Sequence, residues 1–135
     1  KSHYYEASGL HSQGVANEFN EHAADEQQHA EMISERIKQL DGTPNWNPEG
    51  LLSRSHSEFT SGDTLVDLIR EDLIAERVAV ESYREMIAYF APVDPTTRRL
   101  LEEILAKEEE HANDLMELLV TLDPERKPSS TRGAA

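Results

Sequence analysis

Three long segments of the chain repeat apolar residues every three or four positions, the spacing that places side chains along one face of an α-helix. These segments cover about residues 12–41, 64–91 and 95–122. No segment alternates apolar and polar residues as a half-buried strand does. The sequence therefore predicts an all-α protein whose long helices bury their apolar stripes in a common core.

The connections between the segments predict how the helices are arranged. A short helical pattern over residues 1–7 and the turn at residues 92–94 each lead directly into the next helix, which indicates two antiparallel hairpins. Residues 42–62 form a long connection rich in Gly, Pro and Ser, with a short helix possible over residues 48–59. When extended, this connection reaches roughly 69 Å, which exceeds the roughly 42 Å of the helices it joins. We therefore expect a four-helix bundle with one long crossover connection and a truncated first helix.

Residue types at the helix ends support these boundaries. Asp63 is expected to cap the start of the second long helix. Asp94 and Pro95 form another helix start, with a capping side chain followed by Pro at the first helical position. We assign residues 1–123 to one helical bundle and residues 124–135, which show no periodicity, to a flexible tail.

Composition limits the functions that such a bundle can perform. The 135 residues include 27 acidic and 13 basic residues, for a formal net charge of -14. This charge disfavours binding to nucleic-acid phosphates and to anionic lipid. The absence of Cys excludes a disulfide framework, a thiolate zinc site, an iron–sulfur cluster and a cysteine nucleophile. No apolar run is long enough to span a membrane, and a cytoplasmic location is the expectation.

Polar side chains interrupt the apolar stripes near the middle of each long helix. The interrupting residues with metal-ligand chemistry are Glu26, His29, Glu76, Glu108 and His111. A buried carboxylate without a partner is strongly destabilising, and three carboxylates in one layer also repel one another. Counting from the helix starts places the three Glu at similar depths, whichever way the helices run. The pattern therefore predicts that a cation holds these side chains together.

Two of the helices carry the same local motif, Glu-x-x-His, at residues 26–29 and 108–111. The spacing of three residues turns both side chains of each motif toward one point. Two such motifs together with Glu from other helices form the ligand pattern of di-metal carboxylate bundles. Mixed nitrogen and oxygen ligation without a thiolate favours Fe or Mn over structural Zn.

With these motifs in this order, the chain resembles the ferritin-like superfamily, and most of all its bacterioferritin and Dps-like branch, over roughly residues 3–122. The resemblance implies a ferroxidase that oxidises Fe(II) with O2 or H2O2. It also implies storage of ferric mineral in a hollow homo-oligomer, with protection against oxidative stress. The implied cofactor is a di-iron centre, in which Mn or Zn are possible substitutes. The implied metal ligands and catalytic residues are Glu26, His29, Glu76, Glu108 and His111.

The chain departs from the family pattern in three places. The glutamate of the family's first helix is missing, because Glu6, the one carboxylate before Gly9, misses the level of Glu26 by roughly 15 Å of helix rise. We therefore expect the working polypeptide to continue upstream of Lys1 in helix and to supply that glutamate. Gln27 stands where bacterioferritins carry the Met that binds haem, so no haem is expected. The tail lacks the fifth short helix of 24-subunit ferritins, which favours a 12-subunit shell.

Other polar residues have less specific interpretations. His22 and Asp72 lie on the stripes one turn from the predicted ligands, and we expect them to line the site rather than to bind metal. Tyr83 is expected to pack in the core. The remaining histidines are expected on the surface: His3, His11 and His56.

Three other functions remain open on sequence grounds. The bundle could be a non-storing di-iron or di-manganese oxidase or a catalase, which needs no closed shell. It could be a Dps-like DNA-associated protein, although three basic residues in the tail are a weak DNA-binding arm. A metal-free helical interaction module is disfavoured by the buried carboxylates. Iron storage and detoxification is the preferred function, with Fe(II) and O2 or H2O2 as partners and with neither membrane nor DNA.

Overall fold

The computed structural model describes residues 3–4, 7, 12–55 and 64–122. In these ranges it contains three long helices and one single helical turn. They are α1 (Ser12–Gln39), α2 (Leu51–Arg54), α3 (Leu65–Phe90) and α4 (Pro95–Leu122).

The predicted all-α class is confirmed, because no strand occurs in the part of the chain that the structure describes. Among the described helices, none combines the length and apolar character that crossing a membrane requires. The predicted flexible tail lies outside the described residues, so the division of the chain at residues 123–124 stays a prediction.

The α4 helix runs antiparallel to both other long helices. Residues 91–94 form a tight turn that joins α3 to α4 as a hairpin. Along the α1–α4 interface, His22 stacks on His111 at one level, and Arg36 pairs with Asp94 at the other end. Because α1 and α3 are both antiparallel to α4, they are parallel to each other, as the long connection between them predicted.

The N-terminal segment contributes to the core through the few residues that the structure describes. His3 and Tyr4 are helical, and Tyr4 packs against the core cluster. His3 pairs with Asp72 of α3 and lies beside Phe19 of α1, with ring centroids 5.7 Å apart. Its side chain is only 12% exposed, so the surface location predicted for His3 is wrong. The truncated first helix stays a prediction, because most of that segment, including Glu6, lies outside the described residues, as do His11 and His56.

The apolar core is densest where the beginnings of α1 and α3 meet the end of α4. Its buried members are Val15, Phe19, Leu68, Ile69, Leu73, Leu115 and Leu119. Near the end of α4, Leu119 is buried with 1% exposure, and Leu118 packs against the cluster from its edge. Leu40 is 53% exposed, because it follows the last residue of α1.

The end of α1 depends on a close backbone approach. The amide N–H of Gly42 donates to the carbonyl of Ile37 at 2.8 Å, and Asp41 between them has a left-handed φ of 62°. A Cβ atom on Gly42 would lie 2.7 Å from Cγ2 of Ile37. A side chain at position 42 would therefore clash with Ile37, which explains the glycine. The left-handed conformation that often ends a helix is adopted by Asp41 instead.

The starts of α3 and α4 are both capped by side chains. Thr64 caps α3 by accepting a hydrogen bond from the amide of Asp67 at 3.1 Å, so the expected cap at Asp63 is wrong by one residue. Asp94 caps α4 as predicted and accepts from the amide of Thr97 at 3.0 Å. These caps set the rotation and height of both helices, and hence the level of the carboxylates farther along them.

Candidate metal centre

The five predicted site residues come together halfway along the helices, where α1, α3 and α4 face one another. Potential ligand atoms of Glu26, Glu76, Glu108 and His111 all lie within 4.8 Å of one another. His29 joins them through Nδ1, which is 2.8 Å from Oε1 of Glu108. The common level predicted by counting from the helix starts agrees with this arrangement, while the role of the residues as metal ligands stays a prediction.

The five side chains differ in their exposure to solvent. Glu108 and His111 are buried, with exposures of 0% and 1%, and His29 and Glu76 are nearly as inaccessible. The side chain of Glu26 is 49% exposed. The expectation that Glu26 is buried in an apolar stripe is therefore wrong, because α1 turns this residue toward the open groove between α1 and α3.

This groove contains an open cavity of about 260 Å³ that borders the site. Its lining residues are Phe19, His22, Ala23, Glu26, Asp72, Ala75, Glu76 and Ala79. The expectation that His22 and Asp72 line the site agrees with this list. The cavity gives small molecules and ions a path to the carboxylates of Glu26 and Glu76, whereas Glu108 lies behind them.

Several buried polar atoms at the centre have no hydrogen-bond partner. Both carboxylate oxygens of Glu108 are in this state, as are the Nδ1 atoms of His29 and His111. Nδ1 of His29 approaches Glu108 closely, but not with the angles of a hydrogen bond. Native proteins rarely leave such atoms unpaired, because each one costs about 1–3 kcal/mol. Carboxylate oxygens and imidazole nitrogens that converge without hydrogen-bond partners form the donor set of a cation site, so these residues fit a bound metal ion.

Asp25 orients one of these histidines, and the sequence pattern did not single it out. Its carboxylate accepts a hydrogen bond from Nε2 of His111 at 3.0 Å. A carboxylate can only accept, so Nε2 carries a proton, and Nδ1 is the nitrogen that can bind a metal once its own proton is displaced. That Nδ1 atom faces Glu76 and Glu26, at 3.7 and 3.9 Å. No sequence signal identified Asp25, because helical residues are turned by about 100° each and the rotation of α1 was not known accurately enough.

Burial and mutual repulsion determine the charge of the centre in the absence of metal. Burial, together with the carboxylates of Glu76 and Glu26, raises the pKa of Glu108 to about 10. Burial disfavours a charged His111, but the carboxylates of Glu76 and Asp25 outweigh it and raise the pKa of His111 to about 9. Burial also opposes ionisation of Glu76, yet His111 and Glu108 lower the pKa of Glu76 below its usual value. At neutral pH, Glu108 and His111 therefore both hold protons that a bound cation would displace.

Comparison with known sequences is consistent with this arrangement. The ferritin-like domain family matches residues 1–124. Bacterioferritin of Mycobacterium leprae is 37% identical over 92 residues, which cover 67% of this chain and 54% of that protein. Bacterioferritin BfrA of Mycobacterium tuberculosis is 36% identical over 100 residues, which cover 73% and 58% of the two chains. The chain thus spans little more than half the length of these curated relatives.

Comparison with solved structures gives the same fold. The bacterioferritin-related protein of Bacteroides fragilis, described as a dodecameric thioferritin, matches with a TM-score of 0.84 and 30% identity, covering 92% of this chain and 77% of that one. Dps of Thermosynechococcus elongatus also gives a TM-score of 0.84, and the match covers 93% of this chain and 82% of that one. Because the two sequences are only 19% identical, this likeness shows the fold alone. On the family match and these relatives, the chain belongs to the ferritin-like domain family, with bacterioferritins among its relatives.

Proposed function

We propose that this chain is a ferroxidase subunit of an iron-storing homo-oligomer, which oxidises Fe(II) with O2 or H2O2 and limits oxidative stress. The observation that supports this most is the set of buried carboxylate and imidazole atoms without hydrogen-bond partners around Glu108. The bacterioferritin relatives support iron as the metal, and the mixed oxygen and nitrogen donors suit Fe(II). Mn(II) or Zn(II) would compete for the same donors.

In this proposal, the five predicted residues hold two Fe(II) ions as substrates. The carboxylates of Glu26, Glu76 and Glu108 supply negative charge, and the Nδ1 atoms of His29 and His111 supply neutral nitrogen donors. Two adjacent Fe(II) ions together provide the two electrons that reduce O2 to H2O2, or H2O2 to water. The half-exposed Glu26 is suited to receive ions that arrive through the cavity.

The surrounding residues would prepare the centre without contacting the oxidant. Asp25 keeps the proton of His111 on Nε2, so that Nδ1 stays available to iron. The apolar core on one side and the buried position of Glu108 exclude water from the back of the site, which strengthens the attraction between carboxylates and cations.

Exposed apolar side chains support assembly into a homo-oligomer. Ile74 of α3 and Met116 and Val120 of α4 are 54%, 37% and 42% exposed on the α3–α4 hairpin. Arg77 donates to the sulfur of Met116 across this hairpin, which brings the two exposed faces side by side. Such a patch is typical of a subunit interface. We propose a 12-subunit cytoplasmic shell, in line with the dodecameric description of the related Bacteroides fragilis protein.

The proposed activity is tested by adding Fe(II) anaerobically to the purified chain and then mixing it with O2 or H2O2 in a stopped-flow instrument. We expect about two Fe(II) per chain to be oxidised in a fast phase, with O2 or H2O2 consumed in proportion. Oxidation no faster than in buffer with an equal amount of free iron would contradict the proposal.

The storage component is tested separately by native mass spectrometry and by iron loading. A complex of twelve chains that retains far more ferric iron than its centres can bind would support storage. A dimer that oxidises iron without retaining it would identify a non-storing di-metal oxidase instead. A DNA mobility-shift measurement at physiological salt tests the Dps-like alternative, and we expect no shift because the net charge is -14.

A further inference from the structure

A second group of potential metal ligands lies beside the proposed centre, one helical turn away on the interface between α1 and α4. Its members are Glu18 and His22 of α1 and Asp114 of α4, whose potential ligand atoms lie within 4.8 Å of one another. None of the three was predicted to bind metal. Its two carboxylates, Glu18 and Asp114, are not part of the proposed centre and belong to neither Glu-x-x-His motif.

His22 is the residue that points to a ligand. Its side chain is 7% exposed, and neither ring nitrogen has a hydrogen-bond partner. Nε2 lies 3.3 Å from Oε1 of Glu18, without hydrogen-bond geometry. The other nitrogen, Nδ1, faces Glu76 of the proposed centre at 3.8 Å. Stacking on His111, with ring centroids 4.0 Å apart, holds the imidazole in this orientation.

The groups around His22 favour a metal cation as the missing partner. Two partly exposed carboxylates, Glu18 and Asp114, converge on its unpartnered ring. Burial and repulsion from Asp114 and Glu21 raise the pKa of Glu18, because acidic groups are crowded at this point. In the described ranges, no Lys or Arg forms an ion pair with either carboxylate.

We propose that Glu18, Nε2 of His22 and Asp114 bind an additional divalent transition-metal cation at the α1–α4 interface. Two carboxylates neutralise a divalent charge, and a neutral imidazole nitrogen adds a donor that transition metals accept and that Mg²⁺ and Ca²⁺ do not prefer. The identity of this cation as Fe(II) rests on the proposed ferroxidase function, whereas binding of a divalent cation rests on the geometry alone. The site would then hold a third Fe(II) next to the pair that is oxidised.

Co(II) is a suitable probe, because it binds the same donors and has an anomalous X-ray signal. We expect crystals of the whole chain soaked in Co(II) to show an anomalous peak between Glu18, His22 and Asp114, in addition to peaks at the centre. In solution, equilibrium dialysis should find about one Co(II) per chain fewer for Asp114→Asn than for the wild type. Glu18→Gln should lose the same ion, and circular dichroism checks that both variants stay folded.

The matched control is Glu117→Gln, which removes one carboxylate from the same helix at an exposed position outside both groups. It should bind as much Co(II) as the wild type. Equal binding by Asp114→Asn and Glu117→Gln, or filled central positions with no peak at His22, would overturn this inference while leaving the proposed ferroxidase intact. A peak at His22 with an empty centre would support this inference and contradict the proposed function.

Discussion

Two polar clusters lie on the same pair of helices and differ in how their groups are partnered. At the end of the bundle, Arg36 donates to both oxygens of Asp94, at 3.1 Å each, and to the hydroxyl of Thr97 at 2.8 Å. Asp94 in turn accepts from the amide of Thr97. In the middle of the bundle, Glu108 and His29 are more deeply buried, yet their facing atoms have no hydrogen-bond partner.

The contrast teaches that a missing partner, more than burial, distinguishes a binding site from a structural contact. The cluster around Asp94 is complete in itself, since a cation, an anion and a helix start satisfy one another. The centre around Glu108 has an excess of acceptors and negative charge, so it is complete only with a ligand. Both clusters stabilise the same interface, but only the centre should respond to metal.

The strongest test of this contrast is the replacement of Glu108 in the proposed centre. Glu108→Ala should bind at least tenfold less Co(II) or Fe(II) at the centre, because it removes the donor that faces His29 at 2.8 Å. The metal-free variant should stay folded, since the change also removes a buried carboxylate. Anaerobic titration of metal, followed by circular dichroism, measures both effects.

Glu109→Ala is the control for this experiment, because Glu109 is the next residue, is exposed and pairs with Arg84 on the surface. Loss of that surface pair should alter stability only slightly and metal binding not at all. If the two variants lose metal to the same extent, Glu108 is not a ligand and the contrast between the two clusters has no functional meaning.

A smaller effect is expected at the residue that orients His111. Asp25→Ala should weaken metal binding about tenfold to a hundredfold, because His111 loses the partner that keeps its Nδ1 lone pair available. Asp25→Asn, whose amide oxygen can still accept from Nε2, should recover part of the affinity. Isothermal titration with Co(II) compares the three proteins, and equal affinity of Asp25→Ala and the wild type would show that this hydrogen bond does not tune the site.

Sequence reasoning predicted the level of the carboxylates better than their direction. Glu76 and Glu108 lie at one level because helix rise is regular and the starts of α3 and α4 were located to within about a residue. Direction around the helix is more sensitive, since an error of one residue turns a side chain by about 100°. Glu26 was therefore expected to be buried but is half exposed, and Asp25 was overlooked although it contacts His111.

Other features could not be predicted because they depend on tertiary contacts. His3 was expected on the surface, but it pairs with Asp72 across more than sixty intervening residues and fills space beside Phe19. His22 was correctly expected to line the site. Its proximity to Asp114 could not be predicted, because it depends on how α4 is rotated about its axis. Local signals such as the Asp94 cap, by contrast, require only adjacent residues and were confirmed.

A separate test concerns pH, and the two clusters should respond in opposite directions in the metal-free protein. Glu108 has a pKa of about 10 in the folded state against an ordinary value of 4.5, so its contribution to stability is full below about pH 4.5 and is lost as the pH rises toward 10. Asp94 has a pKa of about 2 against 3.8, so its contribution is present above about pH 4 and is lost as the pH falls through 2.

Chemical denaturation over a series of pH values in the presence of a chelator measures both responses. Glu108→Gln should lose less stability than the wild type between pH 5 and about 9, because it has no carboxyl to ionise. Asp94→Asn should lose less stability than the wild type between pH 4 and about 2, because the amide does not take up a proton. Parallel pH profiles for all three proteins would contradict the assigned protonation states.

The parallel arrangement of α1 and α3 also has a consequence for the order in which the chain folds. Closing the loop over residues 40–64 costs about 1.6 kcal/mol more chain entropy than closing the turn at residues 91–94. The α3–α4 hairpin should therefore form first and bring Glu76, Glu108 and His111 together before α1 docks. Kinetic φ-values should then be higher for Leu73→Ala in α3 than for Val15→Ala in α1. A newly made chain would on this order carry three of the five donors of the proposed centre in a preformed hairpin, and the centre would be complete only when α1 brings Glu26 and His29.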